Sequence, residues 1–383
     1  MNRKWKIFLP CYFAFLVNGM MVLEVGTILP YLITEAGLSY GVAGGLLSAF
    51  AIGNFLASFV NPFFIERLGR KFTVVCLSSL IPLSLLGITL LQHVLLLYLL
   101  FVLLGIGRGT VSIFNNTVVN EQSNGSNAAL NFLHMSFAIG AFLAPFLTSL
   151  YINIGLTWRH IVYTIIGLLV IALFLLFNIS NDDNQVSKQK QKSEENRSYL
   201  KSVDFYVIGL VLFFYLGLEN CVNGWFVTYF KSTGIMSDSF ATNLVSITWV
   251  AVMIGRIVTA SLSKKMNKKS LILINCIFTA IFFVLLVATK NLTVISISIA
   301  MLGFFFAGIY PTCIANAGTI IKGSSSGMSM LLAIAALGGI VFPKIIGVVA
   351  DVIGLTGAIG ILTISTTCMV IFAFINYKRK NIE

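Results

Sequence analysis

IFLPCYFAFLVNGMMVLEVGTILPYLI, residues 7–33, carries one charged side chain, Glu24. At about 1.5 Å per residue a helix over this run is about 40 Å long, enough to cross a hydrocarbon core of about 30 Å. An outer-membrane strand would alternate apolar and polar residues over about ten positions. This run is apolar on both faces, as is LILINCIFTAIFFVLLVAT at 271–289. A backbone in lipid must satisfy its own hydrogen bonds, so such runs read as helices. The whole chain agrees. Of 383 residues, 58% are hydrophobic and 10% charged, where a soluble domain is about a quarter charged. Disorder, a disulfide scaffold and an ordinary soluble enzyme are excluded.

Twelve runs of this kind follow one another: 7–33, 41–63, 72–91, 94–118, 128–152, 160–179, 205–230, 240–262, 270–289, 292–317, 327–350 and 356–377. At about 25 residues each they use roughly 300 positions. Short loops and one longer linker take up the rest. Orientation follows from Lys and Arg, which gather on the cytoplasmic side. With the N-terminus inside, twenty of them fall in inner segments or at inner helix ends, Arg256 among the latter. Three fall outside: Arg159, Lys231 and Lys290. Both termini are expected to be cytoplasmic. The net charge of +12 then reflects topology and not nucleic-acid binding. The first run is too long for a signal-peptide core and lacks a cleavage site, so it reads as a retained span. The six cysteines stand singly in apolar runs without metal spacing and read as packing residues.

NDDNQVSKQKQKSEENRSYLKSVD, residues 181–204, is the long polar stretch. It divides the spans into six and six, giving an N-terminal half at 1–180 and a C-terminal half at 205–383. A shift of 198 residues aligns them. Gly19, Gly26 and Tyr31 fall on Gly217, Gly224 and Tyr229; Leu104-Gly105 falls on Leu302-Gly303; Gly140 and Pro145 fall on Gly338 and Pro343. IGLT recurs at 154–157 and 353–356. Two parallel six-helix halves imply one pathway at their interface, opened alternately to either side.

These features resemble the major facilitator superfamily. NPFFIERLGRK at 61–71 is similar to that family's G-x-L-x-D-R-x-G-R-[RK] loop through Arg67, Gly69, Arg70 and Lys71, with Pro62, Phe64 and Glu66 departing from it. In the second half a degenerate copy begins at Gly255-Arg256. LNFLHMSFAIGAFLAP at 130–145 is similar to the N-x-L-[HQ]-x-x-F-x-x-G-A-x-x-x-P segment of the fucose-permease-like sugar transporter branch. GIGRGTVSIFNNTVV, GLENCVNGWFVTYF, GIYPT and GGIVFP, in spans 4, 7, 10 and 11, look like the same branch. The resemblance implies an all-α membrane protein with a two-half fold, spans 1, 4, 7 and 10 around a central cavity and spans 3, 6, 9 and 12 outside. It also implies that Arg67, Gly69, Arg70 and Lys71 form a gating loop. A carboxylate often found in that branch four residues before the Asn of span 4 is here Ser112, so proton coupling does not simply carry over.

Charges at mid-bilayer are costly and face the bundle interior or a wet cavity. Glu24, Arg108, Glu219 and Lys344 are of this kind. Two acids and two bases allow pairing. Arg108, Ser112 and Asn115 share one helix face, with Asn116 at its edge; Glu219 and Asn223 are one turn apart, as are Asn131 and His134. His134 can titrate near neutral pH. Trp249 offers a flat ring for the C–H face of a sugar. The expected substrate-binding residues are therefore Arg108, Asn115, Asn116, Asn131, His134, Glu219, Asn223 and Trp249. The expected proton-coupling residues are Glu219 and Glu24. Each has a plainer reading as a static ion pair, an interhelical amide bond or core.

The expected function is proton-coupled import of a sugar or similar polar solute by alternating access. A proton-antiport exporter of drugs or metabolites is the alternative, disfavoured by the Asn-rich spans 4, 5 and 7. The expected partners are a small-molecule substrate, a co-transported proton and membrane lipid, with no nucleic acid. One chain holds a whole pathway, so a monomer suffices. No cofactor or metal is expected, and no G-x-x-x-x-G-K-[ST] loop or nucleophile elbow points to an enzyme. Composition rich in Ile, Asn and Lys suggests a bacterial cell membrane.

Overall fold

A computed structural model describes residues 5–123, 126–179, 197–321 and 324–379. The linker expected at 181–204 lies outside the described residues as far as 196. Lys188, Lys190, Lys192, Lys322 and both chain ends lie outside them too. Every regular element among the described residues is helical: α1 (Trp5–Glu35), α2 (Tyr40–Ser78), α3 (Leu80–Leu90), α4 (Val94–Gln122), α5 (Asn127–Asn153), α6 (Trp158–Phe177), α7 (Val203–Ser232), α8 (Asp238–Leu262), α9 (Lys268–Ala288), α10 (Leu292–Ile321) and α11 (Ser325–Lys378). A single 3₁₀ turn, Arg197–Lys201, leads into α7.

Ten helical stretches are long and apolar enough to cross a membrane, counting α2 with α3 as one. Two of them exceed what one crossing needs. Tyr40–Leu90 runs for 51 residues and Ser326–Lys378 for 53, about 75–80 Å apiece against a core of about 30 Å. Each is broken at one glycine. Gly69 has φ 76° and ψ 162°; Gly354 has φ 79° and ψ 158°. That region of backbone space is essentially reserved for glycine. The sequence suggests a loop over 61–71. The structure keeps this segment helical except at Gly69, and the connection expected after residue 350 is likewise only Gly354.

Several details repeat along the chain. Ser39 caps α2 by accepting from the Val42 N–H, and Ser237 caps α8 by accepting from the Phe240 N–H. Gly105 of α4 lies so close to α2 that a Cβ there would stand 2.1 Å from the Phe50 carbonyl oxygen. Gly303 of α10 approaches α8 likewise, its Cβ position 2.4 Å from the Thr248 oxygen. Each of these pairs is separated by 198 residues. Such close approaches are how helices associate where lipid supplies no hydrophobic drive.

The layering follows burial. Within their most apolar stretches α1 and α7 are 61% buried, whereas α6 is 33% buried. On α9 the residues Ile274, Ile277, Phe278, Ile281, Val284 and Leu285 are all exposed. Their three- and four-residue spacing is one whole helix face. An apolar face of that extent is stable against lipid rather than water.

Helices α1–α6 meet α7–α11 chiefly through α2 on α11, α5 on α8 and α1 on α7. Among the described residues every hydrogen bond between the two groups lies toward one end. That is the end where α1, α5 and α7 finish and α2 and α8 begin. Asp351 accepts from the Tyr40 and Gly41 backbone N–H groups, each at 2.8 Å. Lys344 Nζ donates to the Gly41 oxygen at 2.7 Å, and Ser48 Oγ to the Ile340 oxygen at 2.5 Å. Ser149 and Ser239 hydroxyls meet at 2.6 Å, and Lys231 Nζ donates to the Tyr31 hydroxyl at 2.6 Å. The backbones also touch: a Cβ at Gly44 would stand 2.3 Å from the Pro343 oxygen, and one at Gly347 would stand 2.2 Å from the Tyr40 oxygen.

Candidate functional site

Halfway along the helices the chemistry is different. Glu219 sits mid-way along α7 and accepts a hydrogen bond from the Tyr215 hydroxyl, one turn earlier, at 3.0 Å. Arg256 of α8 and Arg108 of α4 both lie within Coulomb reach of that carboxylate. Tyr310 of α10 is in reach of Glu219 and Arg108, and its ring lies 6.4 Å from that of Tyr215. The Arg108 guanidinium carbon is 6.0 Å from the Phe50 ring, and its Nε is buried with no hydrogen-bond partner.

The α5–α8 contact completes the cluster. Phe137 meets the edge of Trp249 at 5.7 Å, Phe15 lies 5.5 Å from Phe137, and Phe15 stands edge-on to His134 at 5.6 Å. Trp249 is buried and its indole N–H has no partner. The helices run antiparallel, with Ser149 on Ser239 and Phe137 on Trp249. Continuing that register places Arg256 level with Asn131 and His134. Both of those residues are exposed, in the first turns of α5.

The other residues singled out from the sequence are arranged as follows. Asn223 is half-buried, and its backbone oxygen contacts the Gly26 position of α1. Asn116 is half-buried and donates to the Ser112 oxygen at 2.8 Å. Asn115 is fully buried, with its amide nitrogen on the Val111 oxygen at 2.7 Å and its oxygen unpartnered. Glu24 is fully buried within hydrogen-bond distance of the Thr148 hydroxyl, 3.1 and 2.9 Å from the two carboxylate oxygens. It lies nine residues, about 14 Å, beyond Phe15 along α1, so it is separate from the Glu219 cluster. The pairing of two acids with two bases does not occur among the described residues. Glu24 has Thr148, Glu219 has Tyr215, and Lys344 has the Gly41 oxygen.

The segment around Gly69 makes its contacts within α1–α6. Arg70 forms a two-pronged salt bridge with Glu121 at the end of α4, at 2.7 and 3.1 Å. The Arg67 guanidinium lies 3.9 Å from the Phe63 ring centre, and Lys71 Nζ is 4.6 Å from that of Phe177.

Arg256 is the residue whose nearness to Glu219 the sequence reading missed. Positive-inside counting put it at an inner helix end, and motif matching put it at the start of a loop. It lies inside α8, six residues before Leu262, with Gly255 against the Phe304 oxygen of α10. Its spacing of seven from Trp249 is the signal that puts both on one helix face. Tyr215, at i−4 from Glu219, and Tyr310 were also missed, because tyrosines in apolar runs look like packing.

Comparison with known proteins follows the same lines. The family model described as Major Facilitator Superfamily matches residues 9–343. The chain is 25% identical over 360 residues to the glucose/mannose transporter GlcP of Bacillus subtilis (strain 168), covering 88% of this chain and 86% of that one. Among solved structures it is similar to the nucleoside transporter NupG, with TM-score 0.78 and 15% identity over 99% of this chain and 100% of that one. It is similar also to a D-xylose–proton symporter, with TM-score 0.77 and 16% identity over 98% and 97%.

Proposed function

The chain belongs to the Major Facilitator Superfamily, and on that premise we propose that it imports a sugar or a similar polar solute across a bacterial cell membrane by alternating access, coupled to a proton. It is a multi-pass membrane transporter whose substrate is a small molecule. In this reading Gly69 and Gly354 each divide one long stretch into two spans, which makes twelve. Residues 1–180 and 205–383 are two six-helix halves joined by a cytoplasmic linker, with both termini cytoplasmic and the chain a sufficient unit alone.

One observation supports this reading above the others. Arg108, Glu219 and Trp249 lie mid-way along their helices, with His134 and Arg256 toward one end, while the hydrogen bonds between the two groups gather at the other end. With the termini inside, that closed end is extracellular and the conformation is open to the cytoplasm. A seal on one side of a central polar site is what alternating access requires. The resemblance to a glucose/mannose transporter supports a polyhydroxylated substrate. Trp249 supplies an apolar ring for such a substrate, and Asn116, Asn131, His134 and Asn223 supply hydrogen bonds. Glu219 takes up a proton in the outward state and releases it inward, because a carboxylate left unpaired during the rocking motion is costly. Glu24, buried on Thr148, is the second candidate for that step.

The test is external pH in dense, weakly buffered, unenergised cells making this protein, with sugars and sugar derivatives added one at a time. A pH rise with one of them, absent in Glu219→Gln, is the expected result. No rise with any compound, together with protection of the cells from toxic compounds, would replace import with export.

A further inference from the structure

The charges at the centre do not balance. Arg108 and Arg256 bring two guanidinium groups, which stay charged at any biological pH. Among the described residues Glu219 is the one carboxylate of the cluster, and the Tyr215 hydroxyl already occupies one of its oxygens. The other intramembrane acid, Glu24, is fully buried on Thr148 about 14 Å further along α1. It cannot act as the missing counter-charge. Glu121 is committed to Arg70 at the end of α4. Asp351 is committed to the head of α2 at the closed seam. The remaining titratable neighbours are Tyr310, which is neutral, and His134, which adds positive charge when protonated.

Donors also outnumber acceptors, against which stands one unpartnered acceptor on the Arg108 face of α4, Asn115 Oδ1. A guanidinium has five N–H donors and no acceptor. Arg108 Nε and Trp249 Nε1 are both buried donors without partners. One further donor-rich group, Arg256, stands level with Asn131 and His134 across the α5–α8 contact, in the register set by Phe137 and Trp249. A neutral hexose would bring hydroxyls that need acceptors as much as donors, and it would leave one cation unpaired in a low-dielectric site. A carboxylate brings acceptors alone and the one negative charge that is lacking, and it fits a guanidinium fork two-pronged.

We infer that the substrate is a polyhydroxylated monoanion, a sugar acid of the aldonate or hexuronate class, whose carboxylate is held between Arg108 and Arg256 while its C–H face lies on Trp249. The inference rests on the transporter reading above and narrows its substrate class. Arg256 is then the specificity-determining residue. Glu219 balances one guanidinium, and the substrate carboxylate balances the other. With Glu219 ionised the filled site is neutral and the empty site carries a net positive charge, so in this inference the coupled proton falls to the second candidate, Glu24.

The experiment is ligand binding to the purified full-length transporter in detergent. It uses isothermal titration with D-gluconate, D-glucuronate, D-glucose and D-mannose as probes, and the variants Arg256→Gln and Arg256→Lys. The ligand-free melting temperature of each variant reports whether it is folded. At least one acid is expected to bind tenfold or more tighter than both neutral hexoses. Arg256→Gln should lose that tenfold preference without weakening the binding of the neutral sugars, and Arg256→Lys should keep most of it. If a neutral hexose binds as tightly as the acids, or if Arg256→Gln weakens all four equally, the acid preference is overturned and the sugar-transporter reading stands. If none of the four binds to folded protein, both fall together.

Discussion

Asp351 of α11 holds the backbone N–H of Gly41 at 2.8 Å, and with its other oxygen that of Tyr40 at the same distance. A carboxylate from one helix thereby caps the free N-terminus of another, across the seam between α1–α6 and α7–α11. The two N–H groups have no intrahelical acceptor, and the helix dipole favours negative charge there. Asp351→Ala removes both acceptor oxygens and the charge. A lost cap is worth about 1 kcal/mol, so the closed seam should lose about fivefold in population. Spin labels introduced on either side of the seam would show a larger long-distance fraction. An unchanged distance distribution would mean that the backbone contacts of Gly44 and Gly347 close the seam without help.

Glu24 and Thr148 form a buried pair of a different kind. Thr148→Val removes the hydroxyl and leaves the carboxyl group without its donor, at a cost of about 1–3 kcal/mol. The variant should melt at a lower temperature. Adding Glu24→Gln to it should recover part of the loss, since an amide is less costly to bury than an unpaired acid. Thermal unfolding of the two single variants and the double variant in detergent gives the coupling directly.

Tyr215 donates to Glu219 within one helix turn. Hydrogen bonds to charged groups contribute about 1.5–3 kcal/mol. Tyr215→Phe should therefore make the ionised state of Glu219 at least about tenfold less favourable. The expected result is a pH profile of transport displaced upward from that of the unmodified protein. A profile that does not move would detach Glu219 from the titrating step.

Arg70 and Glu121 are half-exposed and two-pronged. A pair of this exposure contributes about 0.2–1 kcal/mol. A double-mutant cycle with Arg70→Gln and Glu121→Gln should return a coupling within that range, and high salt should diminish it. A coupling of several kcal/mol would mean that the pair is desolvated during the transport cycle.

The helices were legible because apolar runs of membrane length leave the backbone no other choice. Most of their ends were legible to within a few residues from the extent of the apolar runs. The break at Ser79 was not, because its local marks, Ser78-Ser79 and Pro82 with no N–H to offer the Ser78 carbonyl, are submerged in an otherwise apolar run. Spacing placed Asn115 and Arg108 on one helix face. It did not tell which residues of that face are accessible, and Asn115 is fully buried with its oxygen unpartnered. Arg256 was hidden by the charge-bias rule itself. That rule counts every Lys and Arg near a helix end as a topology marker, whichever way the side chain faces. The charge balance at the centre depends on that one residue, so it emerged only with the fold.

Beside its side-chain bonds, the seam described above has a stretch of main chain on main chain. Where Gly44 meets Pro343 and Gly347 meets Tyr40, carbonyl oxygens rest against Cα atoms. Parting such surfaces needs no rotamer to change and no knob to leave a hole, and closing them again needs none to be reset. The joint works like a ground-glass stopper, tight when seated and indifferent to how often it is drawn. A methyl group at either glycine would be grit in that joint, holding the seam ajar in a protein that is otherwise correctly folded.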